Sequence, residues 1–139
     1  MKQWSSSSPE ETEEVGREIA RLLPEGALCA FYGDLGAGKT TLIKGVVSEL
    51  TGIDPSEISS PTFTYMTPYE GRSRVVYHFD LYRMADFREF CRLGLDDYFD
   101  GKAICCIEWA DRLGEAFPPT FRVTLFHRGE GERTIQLES

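Results

Sequence analysis

A three-layer α/β domain, with a mainly parallel central sheet and an antiparallel extension at its C-terminal end, is predicted by three features of the chain. Residues 27 to 32, ALCAFY, are apolar on both pleat faces and run straight into a glycine-rich loop and a helical pattern, as a strand covered on both sides does. Residues 102 to 109, KAICCIEW, repeat the fully buried strand pattern. Two alternating runs, FRVTLF (121 to 126) and RTIQLE (133 to 138), are separated by Gly129 and Gly131, which marks a terminal hairpin. At 139 residues the chain, 1–139, has the size of one domain, enough to bury roughly two-thirds of the surface its unfolded form exposes.

The elements follow in order. Residues 1–8, with the serine run Ser5 to Ser8, read as a flexible N-terminal segment. Ser8, Pro9 and Glu11 form a capping box, and Val15, Ile19, Leu22 and Leu23 then repeat at helical spacing, so a helix is predicted from about 9 to 23, ended by Pro24 and Gly26. After the strand and glycine loop, Leu42, Ile43, Val46, Val47 and Leu50 predict a helix to about 50, closed by Gly52 and Pro55. SPTFTYMTPY (60 to 69) looks extended. RVVYHFDLY (74 to 82) alternates, with Val75, Tyr77, Phe79 and Leu81 on one face and His78, Asp80 and Tyr82 on the other. Asp86 and Glu89 can cap a short helix carrying Phe87, Phe90 and Cys91, interrupted by Gly94.

Composition narrows the class. Hydrophobic residues at 41% and charged residues at 27% are those of a soluble globular protein, and no apolar run reaches the ~18 residues of a membrane span. The start lacks a signal-peptide h-region, so the cytoplasm is the expected location. The net charge of -8 repels a polyanion, which argues against DNA as a partner and against any grip on RNA by this chain alone. None of the four cysteines forms a C-x-x-C pair, and all are read as buried free thiols.

The chemistry is carried by GDLGAGKTT, residues 33 to 41. Gly33, Gly38, Lys39 and Thr40 fill the phosphate-binding pattern G-x-x-x-x-G-K-[ST]. Such a loop needs glycines so that its backbone N–H groups can turn inward on phosphate oxygens, and the following helix N-terminus adds positive dipole. The predicted nucleotide-binding residues are therefore Gly33, Asp34, Leu35, Gly36, Ala37, Gly38, Lys39, Thr40 and Thr41. Lys39 would reach the β- and γ-phosphates, the Thr40 hydroxyl would ligate Mg²⁺, and Thr41 is placed to bond the α-phosphate.

A Mg²⁺ ion also needs a carboxylate at the end of a neighbouring buried strand. Glu108, directly after ICCI, fits, and Asp80 is the second candidate, suited either to holding a Mg²⁺-bound water or to orienting an attacking water. Pattern alone reads Thr62 as part of a Pro–Thr turn, Trp109 as a strand-end aromatic, His78 as a locally bonded histidine and Arg83 as a surface charge. The chain contains no asparagine, so the N-K-x-D guanine motif is excluded. Asp111 to Gly114 matches D-x-x-G, but it falls after the second buried strand and has no water-positioning glutamine beside it. ATP follows by elimination.

In order and separation, GDLGAGKTT, SPTFTY, HFDLYR and IEWAD resemble the bacterial TsaE (YjeE) family, over about Thr12 to Asp111. Cys105 and Cys106 stand where branched aliphatics are expected, a harmless departure in a buried strand. The resemblance implies a small P-loop ATPase required for making threonylcarbamoyladenosine (t6A) in tRNA. It implies action with TsaD, which transfers the threonylcarbamoyl group, and with TsaB, the partner of TsaD, so that tRNA is met only through that complex. It further implies that Lys39, Asp80 and Glu108 are catalytic, that Thr40, Glu108 and Asp80 hold the metal, and that Thr62 and Trp109 belong to the nucleotide site. The rival is a P-loop small-molecule kinase, which would need a lid bearing arginines; Arg72, Arg74, Arg83, Arg88 and Arg92 are available between Glu49 and Lys102.

Overall fold

The computed structural model describes residues 1–34, 36, 38–61 and 63–139. Seven strands form one sheet: β1 (Lys2–Ser6), β2 (Leu28–Tyr32), β3 (Met66–Glu70), β4 (Val75–Asp80), β5 (Ile104–Glu108), β6 (Phe121–Gly129) and β7 (Glu132–Glu138), in the order β1-β7-β6-β2-β5-β4-β3. The centre, β6-β2-β5-β4, is parallel. Antiparallel strands flank it on both sides: β7 and β1 beyond β6, as the hairpin predicts, and β3 beyond β4. The α/β class and the parallel centre therefore stand as predicted.

Helices α1 (Pro9–Ala20) and α2 (Lys39–Thr51) cover one face, burying Ile19, Leu42, Ile43, Val46 and Val47 against Cys29, Phe31, Val76 and Cys106. Ser8 caps α1 by accepting from the Glu11 N–H at 3.1 Å, while Glu11 reaches back to the Ser7 N–H at 2.7 Å. The helix ends at Ala20, earlier than predicted, because Leu22 and Leu23 turn toward Pro24. On the other face the cover is a six-residue helix, α3 (Phe87–Arg92), with two 3-10 turns, Leu95–Tyr98 and Ala110–Leu113. Aromatic side chains supply the thickness there: Phe90, Phe99 and Phe117 stack with centroids 5.3 to 5.6 Å apart.

Two expectations are corrected. The start of the chain is a strand: β1 pairs with β7 from Lys2↔Leu137 to Ser6↔Arg133, and the buried Ser6 Oγ shares a hydrogen bond with Thr12 Oγ1 at 2.8 Å. A short polar strand takes its order from the partner's backbone, so its own side chains give little sign of it. Cys91 is exposed, because on α3 only Phe90 is buried. The other three thiols are buried, and burial pushes that of Cys105 up to about 12 and those of Cys29 and Cys106 well above the ordinary range.

The crossing of α1 and α2 is backbone on backbone. A Cβ added at Gly45 would stand 2.0 Å from the Glu13 carbonyl oxygen, and one at Gly16 would stand 2.2 Å from that of Leu42. Gly45→Ala should therefore destabilise the fold by about 3 kcal/mol despite alanine's better helix propensity. The check is a urea midpoint that falls at unchanged m-value; an unchanged midpoint would show that the helices can separate freely.

Candidate functional site

The C-terminal ends of β2, β5 and β4 lie abreast, with Phe31 paired to Glu108 and Glu108 paired to Asp80. Ligands of parallel sheets collect at this edge. The glycine loop leaves β2 here and enters α2 at Lys39. Gly36 and Gly38 take left-handed φ values of 81° and 103°, which only glycine adopts without strain. The result is a cleft of about 530 Å³ whose lining includes Lys39, Thr40, Ser60, Asp80, Glu108 and Trp109.

Of the predicted nucleotide-binding residues, Gly36, Gly38, Lys39, Thr40, Thr41 and Trp109 line this cleft. Gly33 and Asp34 instead line a separate groove beside β6. Leu35, Ala37 and Thr62 lie outside the described residues. Arg83 borders the cleft with its guanidinium 4.6 Å over the Phe63 ring.

The two carboxylates are both buried, Asp80 at 7% and Glu108 at 4% exposure. The alternation of β4 holds, with Phe79 and Leu81 on one face and His78 and Asp80 on the other, but because both faces are covered Asp80 meets solvent only through the cleft. Asp80 Oδ1 accepts the Tyr82 N–H at 3.1 Å and Oδ2 accepts the Ser60 hydroxyl at 2.5 Å. Ser60 Oγ also lies 3.2 Å from Glu108 Oε2, His78 Nε2 lies 2.7 Å from the same oxygen, and Thr40 Oγ1 lies 3.5 Å from Oε1. Neighbouring buried carboxylates repel one another when ionised. Two carboxylates and two hydroxyls make an all-oxygen donor set of the kind that holds a hard divalent cation beside phosphates.

Lys39 is buried to 6% exposure with Nζ 4.1 Å from the centroid of the Trp109 ring. Trp109 itself has φ 60°, and its ring also meets Tyr82 at 4.9 Å and the Arg112 guanidinium at 5.4 Å. This left-handed turn directly after Glu108 brings the indole into the lining of the cleft, where the lysine lies over its ring.

Sequence reasoning misses Ser60 and Arg133 and undervalues His78. Ser60 stands two residues before Thr62, which the family resemblance singles out. Arg133 comes from β7, with Nη2 3.5 Å from the Gly36 carbonyl oxygen. The one available signal is for His78: it shares the alternation face of Asp80.

The family model described as "Threonylcarbamoyl adenosine biosynthesis protein TsaE" matches residues 6–135. The chain belongs to the TsaE family. Among curated TsaE proteins, that of Bacillus subtilis is 40% identical over 138 residues, covering 97% of this chain and 85% of its own. That of Treponema pallidum is 38% identical over 131 residues, covering 94% and 95%. The crystal structure of Bacillus subtilis YdiB superposes with a TM-score of 0.76 at 34% identity, over 96% of this chain and 82% of that one. The TsaE match extends beyond the motifs that suggest it, taking in β6, the start of β7 and every residue of the cleft. Among the described residues no helix is long and apolar enough to cross a membrane.

Proposed function

We propose that this chain is a cytoplasmic Mg²⁺-dependent ATPase of tRNA threonylcarbamoyladenosine biosynthesis, which uses ATP to switch or reset the TsaD–TsaB threonylcarbamoyl-transferase complex and meets tRNA only through that complex. The observation that carries the ATPase reading is the pairing of two buried carboxylates, Asp80 and Glu108, at the ends of adjacent strands opposite Lys39 and Thr40 of the glycine loop. The pathway comes from the family. The acidic chain, at net charge -8, suits a protein that docks on other proteins and leaves tRNA to them.

In this reading the loop N–H groups and the α2 N-terminus hold the phosphates, and Lys39 neutralises the β- and γ-oxygens. Thr40, Asp80 and Glu108 would hold the Mg²⁺, which when bound would neutralise charge on the transferring phosphoryl group. Asp80 is the carboxylate suited to orienting the attacking water, and the Trp109 and Tyr82 rings limit access of bulk water. Ser60 is hydrogen-bonded to Asp80, lies 3.2 Å from Glu108 Oε2, and stands three positions before the exposed Phe63. Nucleotide occupancy of the cleft is thereby coupled to a surface that partner proteins can meet.

Four of the five arginines between Glu49 and Lys102 that a kinase lid could draw on do not line the cleft, which supports hydrolysis over transfer to a small acceptor. Arg72 and Arg74 lie in the β3–β4 turn, at the far end of β4 from Asp80, and Arg88 and Arg92 lie on α3; of this group Arg83 borders the cleft. The test is phosphate release from Mg-ATP by the protein alone and with the TsaD–TsaB pair, with Lys39→Ala as the blank. Slow release that rises with the pair is expected. No effect of the pair on turnover or nucleotide affinity would remove the partner-coupled reading.

A further inference from the structure

We propose that His78 is a positioning residue for Glu108, pinning one carboxylate oxygen from inside the protein so that the other stays turned to Thr40 and the cleft. The proposal rests on the ATPase reading of the cleft. His78 has no exposed surface. It lies two residues before Asp80 on β4 and opposite Cys106 on β5, which places its ring beneath Glu108 on the same sheet face. Nε2 is 2.7 Å from Glu108 Oε2, and Nδ1 has no hydrogen-bond partner among the described residues.

An ionised carboxylate oxygen only accepts, so in a bond to ionised Glu108 the donor is the Nε2 N–H. A buried polar atom without a partner is destabilising, and an apolar side chain of similar bulk would avoid that cost. A histidine is therefore a poor choice for stability alone, and what it supplies is a donor aimed at Glu108. Ser60 cannot take over that role. Its hydroxyl has one hydrogen, and at 2.5 Å from Asp80 Oδ2 against 3.2 Å from Glu108 Oε2 the proton goes to Asp80. Thr40 Oγ1, at 3.5 Å from Oε1, is too distant to fix the carboxylate. The imidazole N–H is thus the short bond that decides which Glu108 oxygen faces the cleft.

The test compares His78→Leu, which removes the donor and keeps the bulk, with His78→Gln, whose amide N–H₂ reaches about where Nε2 lies. Three quantities are measured: single-turnover phosphate release, Mn²⁺ affinity in the ATP complex by electron paramagnetic resonance, and ATP affinity from Trp109 fluorescence. In His78→Leu, turnover and Mn²⁺ affinity should each fall about 10- to 100-fold with ATP affinity little changed. In His78→Gln both should recover most of the loss. Wild-type turnover and Mn²⁺ affinity in His78→Leu, or equal losses in the two variants, would overturn the proposal. If His78→Leu does not fold, imidazole ¹⁵N resonances of the intact protein decide: a proton on Nε2 supports the assignment and a proton on Nδ1 defeats it. A wild-type protein that binds neither ATP nor Mn²⁺ would instead overturn the ATPase reading, and the same resonances would still judge the His78–Glu108 bond.

Discussion

Lys39→Ala should abolish ATP binding at micromolar concentrations while leaving the protein folded. Lys39 is the first residue of α2, where alanine is an excellent helix former, so the helix loses nothing locally. What is lost is a buried ammonium group already aimed into the cleft across the Trp109 ring. Two charge-assisted contacts to phosphate at about 1.5–3 kcal/mol each predict a loss of at least ~100-fold in affinity. The nearby Asp80 and Glu108 enlarge the effect, because without Lys39 the phosphates face two carboxylates with less compensating charge. Calorimetric titration with ATP checks this, with a thermal melt as the folding control. Unchanged affinity would remove the glycine loop from the site.

Glu108→Gln should separate binding from turnover. The amide keeps the size of the side chain and keeps an acceptor oxygen for the His78 N–H, so the packing around β5 is preserved. It removes the negative charge that a metal ligand or a general base needs, and single-turnover phosphate release should fall by about 10²- to 10⁴-fold. ATP affinity should stay level or rise, and thermal stability should not drop, because one of two adjacent buried carboxylates is neutralised. Stopped-flow phosphate release beside calorimetry gives both numbers on one sample. Wild-type turnover in this variant would end the assignment of Glu108.

The glycine loop and its helix are legible in the sequence because their information is local: the spacing of Gly33, Gly38, Lys39 and Thr40 sits between an apolar strand and an amphipathic helix. Asp80 and Glu108 are legible as candidates, each at the end of an apolar strand. That they adjoin follows from the strand order β2-β5-β4, a non-local choice that no spacing along the chain encodes. Ser60 is hidden for the same reason, since its hydroxyl bonds Asp80 and stands near Glu108 on two strands distant in the chain. The edge strand β1 is hidden because a serine-rich run carries no hydrophobic alternation. Gly16 and Gly45 look like helix defects until the backbones of α1 and α2 are seen to touch.

The uneven burial of the cysteines makes the native protein behave toward thiol reagents as though it had one. Cys29, Cys105 and Cys106 are enclosed in the sheet, while Cys91 stands open on α3. Partial desolvation and Asp96 hold the Cys91 thiol above its ordinary value, so labelling goes best on the alkaline side of neutrality. Glu89, on the same helix, accepts the Tyr65 hydroxyl at 3.4 Å, and Tyr65 closes the segment that begins at Ser60. A fluorophore on Cys91 therefore sits on the helix that bonds Tyr65 through Glu89, in a chain that needs no cysteine removed to carry it.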